Sequence, residues 1–446
     1  MKASGSDLKQ PSASWKVAPF WRTARFREFP TLNVDKQCDV AIIGGGITGL
    51  SAALSLGRNQ KVVLLERGKI AEGSSGFSAG ILSLATTVDL RVVEEHFGRD
   101  NTELLYKRLS GAVDRTLSQL QLDGDALQKG SSIYAASKPS HLSILSTEQE
   151  TRSRYGLSTK FQDKAHLPAW LKDFHGALQL EGERAVHPVK LVEAIALQAS
   201  HLGAEIFENT EVSAFEHKDG FFLLQSGGYS VQCRHLIVAT GVRSKNWPEL
   251  ASINRLLVPV KGEVIVTEPS QDVARLVQEG TIAMWDTYQM LYTYIRYLPD
   301  GRILAGGADS PGVSEPRLRG AGENSVKHLH AVIAARHNFP IPPVEFAWQA
   351  SLSLPADGLP LLKQIDFGQG KLIVASTDGL PSGMLLGEVI ADLVAGRGSD
   401  LLPMLGQDRK PSTEARLLSL LPNQPLIRKA ALKLVFLALK LKDVLS

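Results

Sequence analysis

The first long apolar run of the chain predicts a strand, a glycine-rich turn and a helix in immediate succession. Residues 39–43 form an apolar run of strand length that ends at a cluster of glycines. An apolar stretch of helical character follows over 48–56, and a second apolar run over 61–65 ends at Glu66. This strand–turn–helix–strand order is typical of a parallel sheet covered by helices.

The later hydrophobic pattern extends this α/β organisation and adds a second sheet. A buried strand over 235–241 ends in a glycine turn, and alternation over 256–310 with a Pro-Asp-Gly turn at 299–301 predicts an antiparallel sheet. The other predicted elements are a helix over 189–202, a strand over 205–208, a hairpin over 210–215 and 220–225, a helix over 323–337, a strand over 371–377, and an apolar helix that starts near Gly383.

We therefore predict an α/β fold with two intertwined domains. A Rossmann-type nucleotide-binding domain is expected from three discontinuous segments, 36–90, 186–242 and 355–400. A cap domain built on the antiparallel sheet fills 91–185 and 243–354, and residues 401–446 form a tail. This division follows from strands that read as one parallel sheet although they are far apart in the chain.

The glycines of the first turn have the spacing of a dinucleotide site. Gly44, Gly46 and Gly49 form the pattern G-x-G-x-x-G, in which the first permits a tight turn, the second admits a pyrophosphate and the third lets helix and strand pack closely. The helix N-terminus offers N–H groups to the phosphates. Glu66 stands 20 residues after Gly46, where an acid accepts hydrogen bonds from a ribose. This geometry leaves NAD and FAD both open.

Composition excludes several other functions. A net charge of +3 is too small to indicate nucleic-acid binding, and the histidines show no metal-ligand spacing, so we expect no metal site. Cys38 and Cys233 each begin an apolar run and are read as buried thiols of a reducing compartment. The chain shows no signal-peptide pattern and no apolar run long enough to span a bilayer. We expect a cytoplasmic protein.

The tail carries a basic amphipathic pattern over 425–446, with Lys429, Lys433 and Lys440 on one helical stripe. Such a helix binds a membrane surface or a partner, or docks on the protein body, and the pattern alone leaves these open. Attachment to the inner membrane face would favour a quinone as electron acceptor in place of oxygen.

Several further motifs, in order along the chain, resemble the D-amino-acid-oxidase-type flavoproteins, which include glycine oxidase, sarcosine oxidase and γ-glutamylputrescine oxidase. The resemblance covers about residues 36–400. Its motifs beyond the glycine turn are Gly73-Ser74-Ser75-Gly76, Ala79-Gly80, His187-Pro188, Ala239-Thr240-Gly241, Trp348 nine residues before Asp357-Gly358-Leu359-Pro360, and Gly379 four residues before Gly383-Met384.

This resemblance implies non-covalently bound FAD, a small-molecule substrate oxidised at a C–N bond, and hydride transfer to flavin N5. It further implies that Gly383 and Met384 direct helix N-terminal N–H groups at flavin O2, and that Asp357 lies near the ribityl chain. The implied cofactor residues are Gly44, Gly46, Ile47, Thr48, Gly49, Glu66, Arg67, Ser74, Ser75, Gly76, Ala79, Gly80, Val212, Thr240, Gly241, Asp357, Gly379, Ser382, Gly383 and Met384.

One departure from the family pattern affects the substrate. Amino-acid-oxidising relatives often carry an arginine five residues before the Asp-Gly-Leu-Pro motif, and Leu352 stands there. A buried carboxylate needs a cation, so a small α-amino acid is disfavoured unless Arg296 substitutes. Tyr292, Tyr294 and Arg296 share a strand face and are the candidate substrate-facing residues, with a structural ion pair as the other interpretation of Arg296. Oxidation of a 2-hydroxy acid by a membrane-associated dehydrogenase, and a non-catalytic flavin-binding subunit, remain alternatives.

Overall fold

The structure is a computed structural model that describes residues 15–23, 27–83, 89–122, 124–241, 247, 250–254, 256–287, 293–312, 321–355, 357–377, 379–406, 409 and 432. The strands are β1 Lys36–Ile43, β2 Val62–Leu65, β3 Leu127–Ala135, β4 Thr159–Asp163, β5 Gly176–Val186, β6 Glu205–Phe207, β7 Ala214–Lys218, β8 Phe221–Ser226, β9 Tyr229–Val238, β10 Leu257–Thr267, β11 Thr281–Asp286, β12 Tyr294–Tyr297, β13 Ile303–Pro311, β14 Val344–Pro355, β15 Leu361–Phe367 and β16 Gly370–Ser376. The α-helices are α1 Ile47–Leu56, α2 Ser74–Phe77, α3 Leu90–Phe97, α4 Arg99–Ser118, α5 Leu142–Arg154, α6 Pro188–His201, α7 Ala251–Asn254, α8 Gln271–Gln278, α9 Glu323–Arg336, α10 Leu380–Val394 and α11 Leu402–Leu405.

The first sheet has the strand order β15-β16-β9-β1-β2-β6, and the β7–β8 hairpin pairs with β9. β1 runs parallel to β2 and β9, and β9 runs parallel to β16. The central strands are buried on both faces, which explains why they are continuous apolar runs in the sequence. Cys38 and Cys233 are free thiols that lie opposite each other on β1 and β9.

The second sheet has the order β14-β10-β13-β12-β11-β3-β5-β4. Its pairs are antiparallel except β11 with β3. Val264 and Trp348 face a core shared with α1 and α10, whereas Ile265 and Ala347 face a core shared with α8 and α9. The alternation that predicted this sheet therefore reflects two apolar faces, each covered. The Pro-Asp-Gly turn joins β12 to β13, with Gly301 at φ +82°.

The described chain ends pack on the second sheet. Lys16 forms a bridge with Phe346 on the outer edge of β14. Leu432 is 3% exposed and packs with Val258 and Val260 of β10. The remainder of the predicted amphipathic helix over 425–446 lies outside the described residues, and among the helices that are described none is long and apolar enough to cross a membrane.

Candidate cofactor site

A cavity of about 760 Å³ opens where the parallel strands β1, β2, β9 and β16 end. Ligands of open α/β sheets bind at this carboxyl edge, and the volume is within the range of cofactor pockets. The predicted cofactor residues that line it are Gly44, Gly46, Ile47, Thr48, Glu66, Arg67, Ser74, Ser75, Val212, Thr240 and Gly241. Each of these residues lies in a turn that follows a strand, or in a segment close to the carboxyl edge of the sheet.

The glycine turn shows why each glycine is needed. Gly44 has φ +110°, and a Cβ atom there would lie 2.5 Å from the carbonyl oxygen of Ala239. A Cβ atom on Gly49 would lie 2.1 Å from the Gly44 oxygen, so only glycine lets α1 pack against this turn. A Cβ atom on Gly46 would meet only the Ser75 hydroxyl at 3.4 Å. The backbone at Gly46 is therefore open toward the cavity.

Glu66 is oriented by the turn that it faces. Its carboxylate accepts the N–H of Gly45 at 2.7 Å and that of Gly68 at 2.8 Å. An ionised carboxylate has about four acceptor positions, so two backbone bonds fix its direction and leave capacity for ribose hydroxyls. The predicted ribose contact agrees with this placement and stays a prediction.

The N-terminus of α1 faces the cavity without a cap from its own residues. Gly46 occupies the cap position and provides no side-chain hydrogen bond, while the Ile47 N–H donates to the Ser75 hydroxyl at 3.0 Å. A helix N-terminus carries partial positive charge and N–H groups without intrahelical acceptors. Open backbone at Gly46, a positive helix end and an oriented acid fit a dinucleotide with a pyrophosphate.

The structure places Arg296 outside the lining of the cofactor cavity. Its side chain is only 2% exposed, and Nη1 donates to the carbonyl oxygens of Ala79 at 2.5 Å and Val186 at 2.6 Å. No carboxylate of the described residues pairs with it, and burial lowers its pKa to about 9. Arg296 therefore does not line this cavity and forms no ion pair with the residues that the structure describes, and its substrate-facing role stays a prediction. Sequence periodicity predicted which face of the strand it shares with Tyr294. It could not show that residues 73–82, which contain the short helix α2 and are called the 73–82 loop below, cover that face.

Tyr294, one of the two tyrosines grouped with Arg296, is half-buried. Its hydroxyl lies over Gly306, and a Cβ atom on Gly306 would be only 2.1 Å from the hydroxyl oxygen. Tyr292 lies outside the described residues. A substrate-facing role for Tyr294 stays a prediction.

The predicted helix N-terminus at Gly383 and Met384 is also corrected. Helix α10 already begins at Leu380, so the Gly383 N–H donates to the Gly379 carbonyl at 3.0 Å and Met384 is fully buried. Pro381 explains the earlier start, because proline has helical φ and lacks an N–H in the first turn. Gly383 instead lets α10 pack on α1, since a Cβ atom there would lie 2.5 Å from the Ile47 side chain.

Asp357 forms a buried ion pair where the ribityl contact was expected. Its carboxylate accepts Arg409 Nη2 at 2.5 Å and Nε at 2.8 Å, and both side chains are almost fully buried. Arg409 belongs to the segment that the sequence assigned to the tail, so this pairing could not be predicted. The other predicted cofactor residues that do not line the cavity are Gly49, Gly76, Ala79, Gly80, Gly379, Ser382, Gly383 and Met384.

The cap sheet contributes cavity residues that sequence reasoning missed. Gln349, Ser351 and Ser353 occupy alternate positions of β14 and line the cavity together with Ser376 and Thr377. The Ser74 hydroxyl donates to the Ser351 carbonyl, which ties the 73–82 loop to this edge strand. The alternating small polar residues of the sequence Gln-Ala-Ser-Leu-Ser were the available signal.

Two named proteins are similar to this chain over most of its length. The γ-glutamylputrescine oxidoreductase of Escherichia coli strain K12 is 28% identical over 387 residues, which cover 83% of this chain and 87% of that protein. The glycine oxidase of Bacillus licheniformis is 25% identical over 81% of this chain and 94% of its own.

Solved structures show the same fold. The crystal structure of glycine oxidase from Geobacillus kaustophilus superposes with a TM-score of 0.70 at 22% identity, covering 84% of this chain and all of that one. The model of the family described as "FAD dependent oxidoreductase" matches residues 39–393, which include the glycine turn, the cap sheet and α10. The chain therefore belongs to the DAO family of FAD-dependent oxidoreductases.

Proposed function

We propose that the protein oxidises the C–N bond of an amine whose reacting carbon bears no carboxylate. Two kinds of relative support the C–N bond as the target, since they are named γ-glutamylputrescine oxidoreductase and glycine oxidase. Of these two kinds of substrate, we propose that this protein acts on an amine and not on an α-amino acid.

The surroundings of Leu352 carry this choice. Leu352 is half-buried and packs in an apolar patch with Val258, Val260, Leu354 and Leu432. A buried substrate carboxylate needs a cation, and this position, where amino-acid-oxidising relatives often carry an arginine, provides none. Arg296, the substitute considered from the sequence, is held by two carbonyl oxygens. The chain therefore lacks, at this position, the group that a small α-amino acid requires.

The residues of this chain would bind FAD and prepare the substrate for hydride loss. The open backbone at Gly46 and the N-terminus of α1 would hold the pyrophosphate, and Glu66 would hold the ribose. When bound, FAD supplies the hydride acceptor N5. The neutral amine is the form that loses hydride.

The test uses substrate pairs that differ only in the α-carboxylate: putrescine with ornithine, and phenethylamine with phenylalanine in both chiral forms. Each is added anaerobically to the purified holoprotein while the flavin absorbance near ~450 nm is followed. We expect the amine of a pair to bleach the flavin faster. Faster bleaching by the amino acids would contradict the carboxylate argument. Bleaching by 2-hydroxy acids alone would contradict the proposal and indicate C–OH oxidation. If no donor bleached the flavin, a non-catalytic flavin-binding subunit would be favoured.

A substitution in the patch sharpens this test. Leu352→Arg introduces a cation at the position where carboxylate-binding relatives carry one, so the amino acid of each pair should reduce the flavin at least about tenfold faster than in the unmodified protein. Leu354→Arg, in the same patch, is the matched control and should not give this gain. Equal gains in both variants would mean that Leu352 has no special position.

For reoxidation we propose molecular oxygen. Leu432, which lies inside the 425–446 tail, is buried on the cap sheet, and this favours a docked tail over a membrane-bound one. Mixing the reduced protein with oxygen or with a soluble quinone, and comparing the recovery of flavin absorbance, tests the choice. Faster recovery with the quinone at equal concentration would contradict it.

A further inference from the structure

Four consecutive carbonyl groups of the 73–82 loop are each bound by a donor from outside the loop. Trp348 Nε1 donates to the Phe77 oxygen at 3.2 Å, and Trp21 Nε1 donates to the Ser78 oxygen at 2.9 Å. Arg296 Nη1 donates to the Ala79 oxygen, and the Val186 N–H donates to the Gly80 oxygen at 2.7 Å. The first three donors are side chains, from β14, from the N-terminal segment and from β12.

These three side chains are themselves held in place. Residues 15–23 lie along β14, where the Lys16 N–H donates to the Glu345 oxygen at 2.7 Å and Phe20 contacts the Phe346 ring at 5.4 Å. This places Trp21, 3% exposed, under the loop. The Arg296 guanidinium lies over the Trp21 ring at 5.2 Å, so two of the donors also support each other.

Binding the carbonyls fixes the direction of the N–H groups. In a trans peptide the C=O and the following N–H point in opposite directions, so fixing the Phe77 and Ser78 oxygens also fixes the directions of the Ser78 and Ala79 N–H groups. Neither N–H has a hydrogen-bond acceptor among the described residues. They belong to a loop whose neighbouring residues Gly73, Ser74, Ser75 and Phe77 line the cofactor cavity.

We propose that Trp21, Arg296 and Trp348 are positioning residues for the flavin. They form a three-residue clamp on the Phe77, Ser78 and Ala79 carbonyl groups, and this clamp would hold in place the loop whose residues Gly73, Ser74, Ser75 and Phe77 line the cofactor cavity. The clamp couples FAD binding to the N-terminal segment and to the cap sheet, neither of which supplies the pyrophosphate site. Its role depends on FAD alone and is independent of which substrate is oxidised.

The experiment removes one donor at a time. Trp21→Phe and Trp348→Phe delete a single N–H while keeping an aromatic ring, and Arg296→Gln removes the cation. FAD affinity of the apoprotein, the visible circular dichroism of the bound flavin and the urea unfolding of the apoprotein are measured for each. Trp170→Phe is the matched control, since Trp170 stacks on His337 in the outer core of the cap sheet.

We expect each tryptophan variant to bind FAD about 3- to 10-fold more weakly, as for the loss of one hydrogen bond. Arg296→Gln should weaken binding at least about tenfold, and all three should alter the flavin dichroism. The double variant Trp21→Phe/Trp348→Phe should lose less affinity than the two single losses multiplied, because one break already frees the loop. Trp170→Phe should bind FAD as the unmodified protein does.

The proposal is overturned if the three variants destabilise the apoprotein while FAD affinity and dichroism stay at the values of the unmodified protein. In that case the clamp would serve folding only. It is equally overturned if the Trp170→Phe control loses affinity to the same extent, because the effect would then be a general response to core substitution.

Discussion

Two buried arginines of this molecule have different kinds of hydrogen-bond acceptor. Arg409 donates to both carboxylate oxygens of Asp357 and to the carbonyl oxygens of Pro360 and Met404. Arg296 is buried at least as deeply but donates only to carbonyl oxygens, and its Nε has no partner among the described residues. Burial of this cation lowers the pKa of Arg296, whereas a carboxylate would oppose such a change.

The first arrangement is a compensated structural pair, whereas the second fits the positioning role that we propose for Arg296. The Asp357–Arg409 pair closes the junction between β14 and α11 with its charge compensated. The Arg296 region leaves a cation without a carboxylate beside a loop that lines the cofactor cavity. Reduced flavin carries negative charge, and a cation retained nearby favours that form. Three substitutions test this comparison.

The largest effect is expected at the compensated pair. Asp357→Asn removes the carboxylate and leaves Arg409 buried and uncompensated, which should lower the free energy of unfolding by about 3–5 kcal/mol. Urea unfolding of the apoprotein measures this loss. FAD affinity should remain that of the unmodified protein. A lost affinity at unchanged stability would instead return Asp357 to the cofactor site that the sequence indicated.

A buried acid extends the comparison to the opposite charge. Glu183 on β5 is 5% exposed, and its Oε2 atom has no hydrogen-bond partner among the described residues. Burial raises its pKa from 4.5 to about 7, against smaller opposing effects of Arg152 and of the Ser83 hydroxyl. Between pH 4.5 and 7 the folded state keeps a proton that the unfolded state has released, so the free energy of unfolding falls as pH rises through this window.

Glu183→Gln should remove that loss. The variant should be more stable than the unmodified protein at pH 8, by up to about 3 kcal/mol. At pH 4 it should gain little, because the Glu183 carboxyl is then mostly protonated in both the folded and the unfolded state. Urea unfolding at the two pH values measures the difference. A gain of equal size at both values would assign the effect to packing, and a loss at pH 8 would show that the charged form has a favourable partner.

The smallest effect should come from Arg296→Lys. Lysine keeps the cation but cannot reproduce the planar fork that reaches two carbonyl groups. FAD affinity should fall about threefold, between the unmodified protein and Arg296→Gln. The flavin midpoint potential should stay close to that of the unmodified protein, while Arg296→Gln should lower it by about 30 mV, which corresponds to a tenfold change in the two-electron equilibrium. Equal midpoint potentials in the two variants would show that the charge of Arg296 does not influence the flavin.

Local patterns predicted most of the fold because the elements concerned are locally determined. The β1–α1–β2 unit follows from an apolar run, three glycines and a second run, and α6 begins at Pro188 as the His-Pro signal indicates. The His187 side chain caps that helix by accepting the Lys190 N–H at 3.3 Å. Burial lowers the pKa of His187 to about 4, which keeps this ring neutral and able to accept.

The site was predicted where it depends on short-range geometry and missed where it depends on distant pairs. Gly44, Gly46 and Glu66 lie within one βαβ unit, and the cavity contains all three. Asp357 with Arg409, and Arg296 with Ala79, are contacts that no spacing within the chain encodes. The sequence shows Trp21 and Trp348 as two separate tryptophans. Only the folded structure shows that both indole N–H groups bind the 73–82 loop.

The strand order of the first sheet has a consequence for how the protein is made. β1 is paired with β9 and, through it, with β16, while Lys16 meets Glu345, 329 positions later. During synthesis β1 is soon followed by its neighbour β2, but its other neighbour β9 emerges much later, as does β14, on which residues 15–23 pack. Neither sheet can be completed until β14 and β16 have been made, so the earlier apolar strands must wait for these later ones. The nascent chain is therefore expected to depend on chaperones that shield β1 and α1 during synthesis.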